Sequence, residues 1–502
     1  MIRRSLSSAT AAAHDLVIVG GGIYGAMVAL EASRQGLRPL LVEREDFGGQ
    51  TTWNSLRILH GGLRYLQSLD LTRFRELVHE RRWLMRAFPD LTRPMPFLMP
   101  LYARGLRRPT ALRLALALND RLAADRNVGV AAERWLPPSR LLSVAETKTR
   151  YPGVRASRLR GGALWYDGFM EDPPRLVMEV LRWVSELGGT CLNYTEARQL
   201  VLGDNGIDGL TAFDRLGGNV VELRAPVVIN CAGPWSSKVA GAFDRSAGDL
   251  FRPSLAFNVL LRVEPRSDSS LALTPPRRGS RTYFLVPWRR MTLAGTYHAP
   301  WDGRVESSPE PSERCLAAFL ADLNEADPGL NLSLDDVLRV FGGLLPVRRR
   351  ESTHLATRDI VRDHAATGGP RGLFSVSGTK LTTSRRVARK MLDRVYGPPS
   401  TLDDAAESEV RPLSVVPLSL RQFGALERTD PTAAGRYVAR LVTEEGATCL
   451  DDLIYRRTDW GAELGSVEPL AARISGLLAT EGTELKRFPA LRDDEPPPRS
   501  SS

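Results

Sequence analysis

The stretch RILHGGLRYLQ, residues 57–67, sets two guanidinium groups (Arg57, Arg64), an imidazole (His60) and a phenol (Tyr65) around the pair Gly61 and Gly62. Arg64 can hold a phosphate or carboxylate through paired hydrogen bonds, and His60 can accept a hydroxyl proton. The glycine pair removes side-chain bulk where a planar ring or a substrate could approach. Read from residues alone, the alternative is a surface loop with ordinary ion pairs and a structural histidine.

A second chemistry-bearing stretch is DLVIVGGGIYGAMVALEASRQGLRPLLVERED, which begins at Asp15. Gly20, Gly22 and Gly25 form GxGxxG after a short β-branched run and at the mouth of a helix, with Glu43 closing the next apolar run. The first glycine permits a tight turn, the second lets backbone approach a pyrophosphate, and the third lets helix and strand pack closely. The phosphates then meet the helix dipole, and the carboxylate accepts from a ribose hydroxyl. The motif alone leaves FAD and NAD open. Its place near the start of the chain, with further glycine turns near 232 and 378, favours an FAD held lengthwise.

These groups need elements to position them. Residues 16–19 and 40–42 read as strands and 23–34 as a helix, which together make a βαβ unit. Thr72 can cap a helix whose apolar positions Phe74, Leu77, Val78, Met85 and Phe88 share one face before Pro89 stops it. A second helical region, 101–125, has leucines nearly all round with Arg107, Arg108, Arg113 and Arg121 between them. Strands are predicted within RAPVVINCAGPW (224–235) and on both sides of a basic turn in YFLVPWRRMTLAGT (283–296). Residues 372–376 form another strand, running through a glycine turn into a helix. From about 405 to 480 the pattern is helical. Residues 1–14 and 481–502 read as disordered tails, the first faintly like an organelle transit segment.

With 502 residues, two or three domains are expected, with interior enough for a buried cofactor. Sixty-eight Lys and Arg against 58 acids give a net charge of +10, which favours anionic partners or serves only as a solubilising surface. Nucleic-acid binding would rest on that charge alone, because no aromatic and basic platform accompanies it. The four cysteines, Cys191, Cys231, Cys315 and Cys449, form no CxxC pair, which argues against a metal site or disulfide framework and suits a reducing compartment. No run of eighteen apolar residues is present. The arginine-laced region 105–126 could lie at a lipid surface, or could equally be a core helix.

VIVGGGIYGA, RILHGGLRYLQ, NCAGPW, VPW with GT, ATRD (356–359) and SGTKLTT resemble, in that order, the FAD-dependent glycerol-3-phosphate dehydrogenase family of flavoprotein oxidoreductases. TEEGATCLDDLIYRRT (443–458) is similar to the start of that family's C-terminal helical cap. The resemblance covers roughly residues 15–465. It implies a mixed α/β fold: a Rossmann-type FAD-binding domain of discontinuous segments (15–95, 165–240 and 345–400), a substrate domain with an antiparallel sheet (96–164 and 241–344), and a helical cap (405–480).

It implies oxidation of the secondary alcohol of sn-glycerol 3-phosphate, or a close analogue, to dihydroxyacetone phosphate. The alternative is another hydroxyl or amine substrate. Flavin contacts are implied at Gly20, Gly22, Ile23, Gly25, Glu43, Gly233, Gly378, Lys380, Leu381 and Thr382. His60, Arg64 and Lys380 are the implied catalytic residues, with Arg64, Tyr65, Asn258, Arg358 and Lys380 at the substrate. The implied partners are a small anionic substrate and a quinone acceptor, with oxygen as the alternative, and a homodimer is compatible. The implied location is cytoplasmic, peripheral on the inner face of a membrane.

Two departures stand out. Leu345, in GGLLPVRRRES, falls where the family places a phosphate-gripping arginine, with Arg348, Arg349 or Arg350 as substitutes through a shifted loop. Asn258, in SLAFNVLLR, stands where the family tends to carry a second histidine, and an amide cannot take a proton at neutral pH.

Overall fold

The structure is a computed structural model that describes residues 1–66, 69–102, 109–277, 279–301, 303–305, 309–347, 359–398, 409–413 and 415–487, without the side chains of Arg64 and residues 109–111. Leu16–Val19 (β1) and Pro39–Val42 (β2) are fully buried four-residue strands joined by the helix Ile23–Arg34, as the glycine spacing predicts. They lie at the centre of a six-stranded sheet with Thr190–Leu192 (β7), Val228–Asn230 (β11), Ile360–Asp363 (β17) and Leu373–Ser377 (β18), in the order β17-β18-β11-β1-β2-β7. All pairs are parallel except the β17 edge.

Such a sheet needs cover on both faces. On one side Met27, Val28 and Leu30 pack with Trp183 and Leu392 of the helices Pro173–Glu186 and Ser384–Tyr396. On the other, Ile207, Leu210 and Leu223 of a three-stranded antiparallel sheet, Thr195–Gly203 (β8), Gly206–Asp214 (β9) and Val220–Arg224 (β10), cover Val17 and Leu40.

A second, mostly antiparallel sheet has nine strands. Its path runs Val337–Val347 (β16), Arg252–Leu261 (β12), Met291–Pro300 (β15), Tyr283–Trp288 (β14), Ser270–Leu273 (β13), Thr92–Pro100 (β4), Gly162–Met170 (β6) and Ile58–Leu59 (β3), with Arg140–Leu142 (β5) also on β6. Phe257 and Tyr297 turn one face of this sheet onto Phe319 of the helix Glu313–Ala326, with ring centroids 5.7 and 5.6 Å away. The opposite face looks toward the parallel sheet. The expected division of the chain therefore shifts: residues 58–59, 92–95, 165–170 and 345–347 belong to this second sheet, because β-ladder pairing groups them with it rather than with their sequence neighbours.

The helices Leu420–Thr429, Pro431–Glu445 and Glu468–Thr480 gather around Trp460, which stacks on Phe423 at 4.3 Å. Buried charges tie this unit to the rest. Arg175 donates to Glu445 at 2.7 and 2.6 Å, Arg457 grips Asp46, and Arg57 Nη1 donates to Asp459 Oδ2 at 2.7 Å.

Expectations are corrected at residues 1–14, at the cap of the long helix and in the C-terminal tail, while the helix beginning near Pro109 stands where the sequence puts it. Residues 1–14 are ordered: Ile2 is buried and its amide donates to Glu444 O at 2.9 Å, and Leu6–Ala11 is a helix capped by Ser5 that buries Ala9. The long helix begins at Leu71 with Asp70 as its cap, not Thr72, because the Asp70 carboxylate accepts from the Arg73 amide. The region 101–125 contains the helix Pro109–Leu122, whose Leu116 is buried in the core while Leu114 stays 73% exposed. At the other end, Lys486 O accepts from the Leu450 amide at 2.8 Å, so residues 481–487 are tied back, while 488–502 lie outside the described residues.

Arg57 holds a left-handed φ of 66°, which costs about 1–3 kcal/mol for a non-glycine residue, and its guanidinium lies 4.2 Å from the Trp288 ring centroid. Replacing it by Met leaves the buried Asp459 with Arg289, 3.6 Å away, as its remaining guanidinium partner. The expected outcome of Arg57→Met is a loss of about 2–3 kcal/mol in stability, read by denaturant unfolding.

Candidate active site

The carboxyl ends of the parallel strands open into a cavity of about 560 Å³, closed on its far side by the second sheet. Gly20 has φ +110°, and a Cβ there would lie 2.6 Å from Cys231 O. A Cβ on Gly25 would lie 1.9 Å from Gly20 O, which is the close helix-to-strand approach the third glycine allows. Gly22 caps the helix Ile23–Arg34 and lines the cavity, and the Ile23 amide donates to Thr52 Oγ1 at 3.1 Å.

At the end of β2 the Glu43 carboxylate accepts from the amides of Gly21 at 2.7 Å and Glu45 at 2.9 Å. Burial outweighs these bonds and pushes its pKa up to about 7. Gly233, at φ +54° with open space about it, sits in a turn that Asn230 holds by accepting from the Ala232 amide and donating to Ser236 O. The site so built fits FAD: a glycine cradle that Cβ atoms would fill, a helix mouth for the phosphates, and a carboxylate for the ribose.

At the other end, Gly378 makes room for Tyr24, whose hydroxyl would lie 2.0 Å from a Cβ there. Tyr24 Oη donates to Lys380 O at 2.9 Å and accepts from the Lys380 amide at 3.2 Å, joining the first glycine turn to the last. Burial raises the Tyr24 phenol above its ordinary range, so it stays a donor. Lys380 Nζ donates to Tyr65 Oη at 2.7 Å and lies 4.4 Å from that ring's centroid.

His60 lines the same cavity at the end of β3, with its side chain 41% exposed. Its Nδ1 lies 4.0 Å from Asp167 Oδ2, while Asp167 Oδ1 accepts from the Gly61 amide at 2.7 Å and pairs with the buried Arg81. Burial pushes the Asp167 carboxyl up, against the pull of Arg81. Gly61 makes room for the Arg81 guanidinium, since a Cβ would lie 1.9 Å from its Nη1 and would displace it.

The structure thus brings together His60, Lys380, Asn258, Glu43 and the turn residues Gly20, Gly22, Ile23, Gly233, Gly378, Leu381 and Thr382 along one cavity. Gly25 stands behind it as a packing residue and Tyr65 behind Lys380. Asn258 is held in place: its Nδ2 donates to Asn54 O at 2.9 Å and its Oδ1 accepts from Thr296 Oγ1 at 2.7 Å. Leu345 lines the wall, and no guanidinium takes its place in β16. Arg64 sits in the one-turn helix Leu63–Leu66, its side chain outside the described residues, as are Arg348, Arg349, Arg350 and Arg358. Arg57, grouped in sequence with the binding residues, turns instead to Asp459.

Sequence reasoning missed Tyr24, Arg81, Asp167, Thr296 and His298. Tyr24, inside the glycine motif, and Thr296, in the GT pair after VPW, sit where a local signal could have marked them.

Residues 15–394 match the family described as FAD dependent oxidoreductase. The chain belongs to that family. This FAD-dependent oxidoreductase is 29% identical over 398 residues to a glycerol-3-phosphate dehydrogenase of Synechocystis sp., spanning 77% of this chain and 70% of that protein. It is 30% identical over 393 residues to the human mitochondrial glycerol-3-phosphate dehydrogenase, but covers only 52% of that protein's length. In fold it is similar to the glycerol-3-phosphate dehydrogenase of Bacillus halodurans solved with FAD, with a TM-score of 0.66, 20% identity, and 95% and 92% of the two chains covered. The expected kinship, fold class and cofactor are borne out.

Glu43 yields a pH-dependent expectation. Its ionised form is the one that would accept from a ribose hydroxyl, and below about 7 that form is lost in the cofactor-free protein. FAD affinity should rise between about pH 6 and pH 8, while Glu43→Gln should weaken binding by ~10-fold or more and flatten that dependence, read by flavin fluorescence titration. The raised carboxyl favours the cofactor-free fold at low pH, a contribution withdrawn as pH rises through about 7.

Proposed function

We propose that the enzyme oxidises the secondary alcohol of sn-glycerol 3-phosphate, or a close analogue, to dihydroxyacetone phosphate. The observation that carries this reading is that His60 and Lys380, the latter held by Tyr65, line the same cavity as the glycine turns. FAD, held by the glycine turns and Glu43, supplies the two-electron acceptor that alcohol oxidation requires. His60 takes the hydroxyl proton, and the Asp167 charge at 4.0 Å stabilises the imidazolium that results. Lys380, held by Tyr65, presents its ammonium to negative charge in the site. Arg64 and Arg358 are the further anion contacts in this reading, and the surrounding sheet keeps the reacting groups in register.

Leu345 favours a second reading, in which a hydroxyl or amine substrate without a phosphate occupies the cavity, because an aliphatic side chain lines the wall there. Anaerobic addition of sn-glycerol 3-phosphate to the FAD-loaded protein separates the two. Bleaching of the oxidised absorbance supports the first reading. No bleaching, in protein that dithionite still reduces, contradicts it. His60→Asn should then lower kcat by ~10²–10⁴-fold, and Lys380→Met should lower kcat/KM by ~10²-fold, both in steady-state assays with a dye acceptor.

For the acceptor, our reading is a quinone reached at a lipid surface, with oxygen as the alternative. Supporting it are Leu114 and Leu118, 73% and 37% exposed on the helix Pro109–Leu122, and the exposed Arg113 and Arg121 beside them. Among the described residues no helix is long and apolar enough to cross a membrane, so contact would be peripheral. Sedimentation with anionic vesicles should carry the protein down at low salt, and Leu114→Glu should abolish this. Protein left in the supernatant contradicts the lipid contact.

A further inference from the structure

The cavity wall opposite the glycine turns is made by three neighbouring strands, β15, β12 and β16. Phe257 and Tyr297 point away from the cavity onto Phe319, so their alternating neighbours Ala256, Asn258, Thr296 and His298 point into it. Ala256 pairs with His298 on one side and with Gly343 on the other. One rung of the sheet therefore reads His298, Ala256, Gly343, with Thr51 standing over Gly343, where a Cβ would meet its Cγ2 at 3.2 Å, and only the small Ala256 between that contact and the imidazole. Leu345, two residues beyond Gly343, lines the same wall. Of Ala256, Asn258, Thr296, His298, Gly343 and Leu345, His298 alone carries an ionisable group. The Asn258 amide is engaged at both ends, with Asn54 and Thr296, so it holds the wall in register.

We infer that His298 is a substrate-binding residue of this site, donating a hydrogen bond from its imidazole to an oxygen of the bound substrate. The inference rests on the alcohol-oxidation reading above and adds a group that recognises substrate from the sheet wall of the cavity that His60 and Lys380 also line. The oxygen belongs either to the phosphate or to the carbon being oxidised, and both accept from an imidazole N–H. The rung geometry favours a histidine at this point, since its partner across the ladder, Ala256, is small and both line the cavity.

The test is equilibrium binding to the FAD-loaded protein, read by perturbation of the flavin absorbance, with dihydroxyacetone phosphate and inorganic phosphate as the two probes. Wild type is compared with His298→Gln and His298→Ala, each checked for FAD content and thermal melting. The expected result is dihydroxyacetone phosphate affinity weakened by ~10-fold or more in both variants, at wild-type FAD content and melting temperature. Weakening of phosphate as well places the phosphate oxygen on His298, and unchanged phosphate affinity places the carbonyl oxygen there. Variants that bind dihydroxyacetone phosphate as tightly as wild type overturn this inference alone. Variants that lose FAD or melt early also overturn it, in favour of a structural role. A wild type that binds neither probe overturns the substrate reading and this inference with it.

Discussion

Residues 43–60 carry Glu43 at one end and His60 at the other and run along the cavity between them, yet their pairing within the second sheet is limited to the two residues of β3. A segment with so little ladder pairing holds its shape only if other contacts fix it. Buried charge does this. Asp46 is gripped by Arg457 and Arg57 grips Asp459, so the segment is pinned near both ends to the C-terminal helical unit. All four side chains are nearly inaccessible, which makes each pair costly to break. The helical unit is thus a clamp on the loop that frames the site, and the positive φ of Arg57 persists because its contacts over-determine it.

From that constraint the electrostatics of the cavity follow. Carboxylates and helix-mouth amides stand at the dinucleotide end, where ribose and phosphates need them. In the proposed reading His60, Lys380 and His298, which all line the cavity, face the substrate. Asp167 anchors the first of these by bonding the Gly61 amide and pairing with Arg81, so the His60 turn is held by a charge that never reaches solvent. Tyr24 ties the helix mouth to the turn bearing Lys380, so the cofactor and substrate halves share one hydroxyl.

What the sequence disclosed, and what it hid, divides by distance along the chain. The βαβ unit, the basic turn at 289–290 and the strand before Gly378 follow from local alternation and turn chemistry, and they stand where those signals put them. Lys380 and Tyr65, 315 residues apart, were each marked, but their hydrogen bond had no sequence signature. Asp167, Arg81 and His298 were missed because a lone charged residue in a strand or helix says nothing until the sheet order fixes its neighbours. Arg57 stood in the same cluster without an assigned role, and only its buried partner 402 residues away shows what it does. The N-terminal segment deceived by composition, since two buried apolar residues, Ile2 and Ala9, suffice to dock it.

A crystal structure of the FAD-loaded protein with dihydroxyacetone phosphate bound is the most direct measurement of this account. The account requires the ligand between the glycine turns and the sheet wall, with one oxygen within hydrogen-bond distance of His298, its oxidised carbon beside His60, and the 43–60 segment unmoved. A ligand seated away from the rung of His298, Ala256 and Gly343, or a 43–60 segment released from Arg457 and Asp459 on binding, would contradict it.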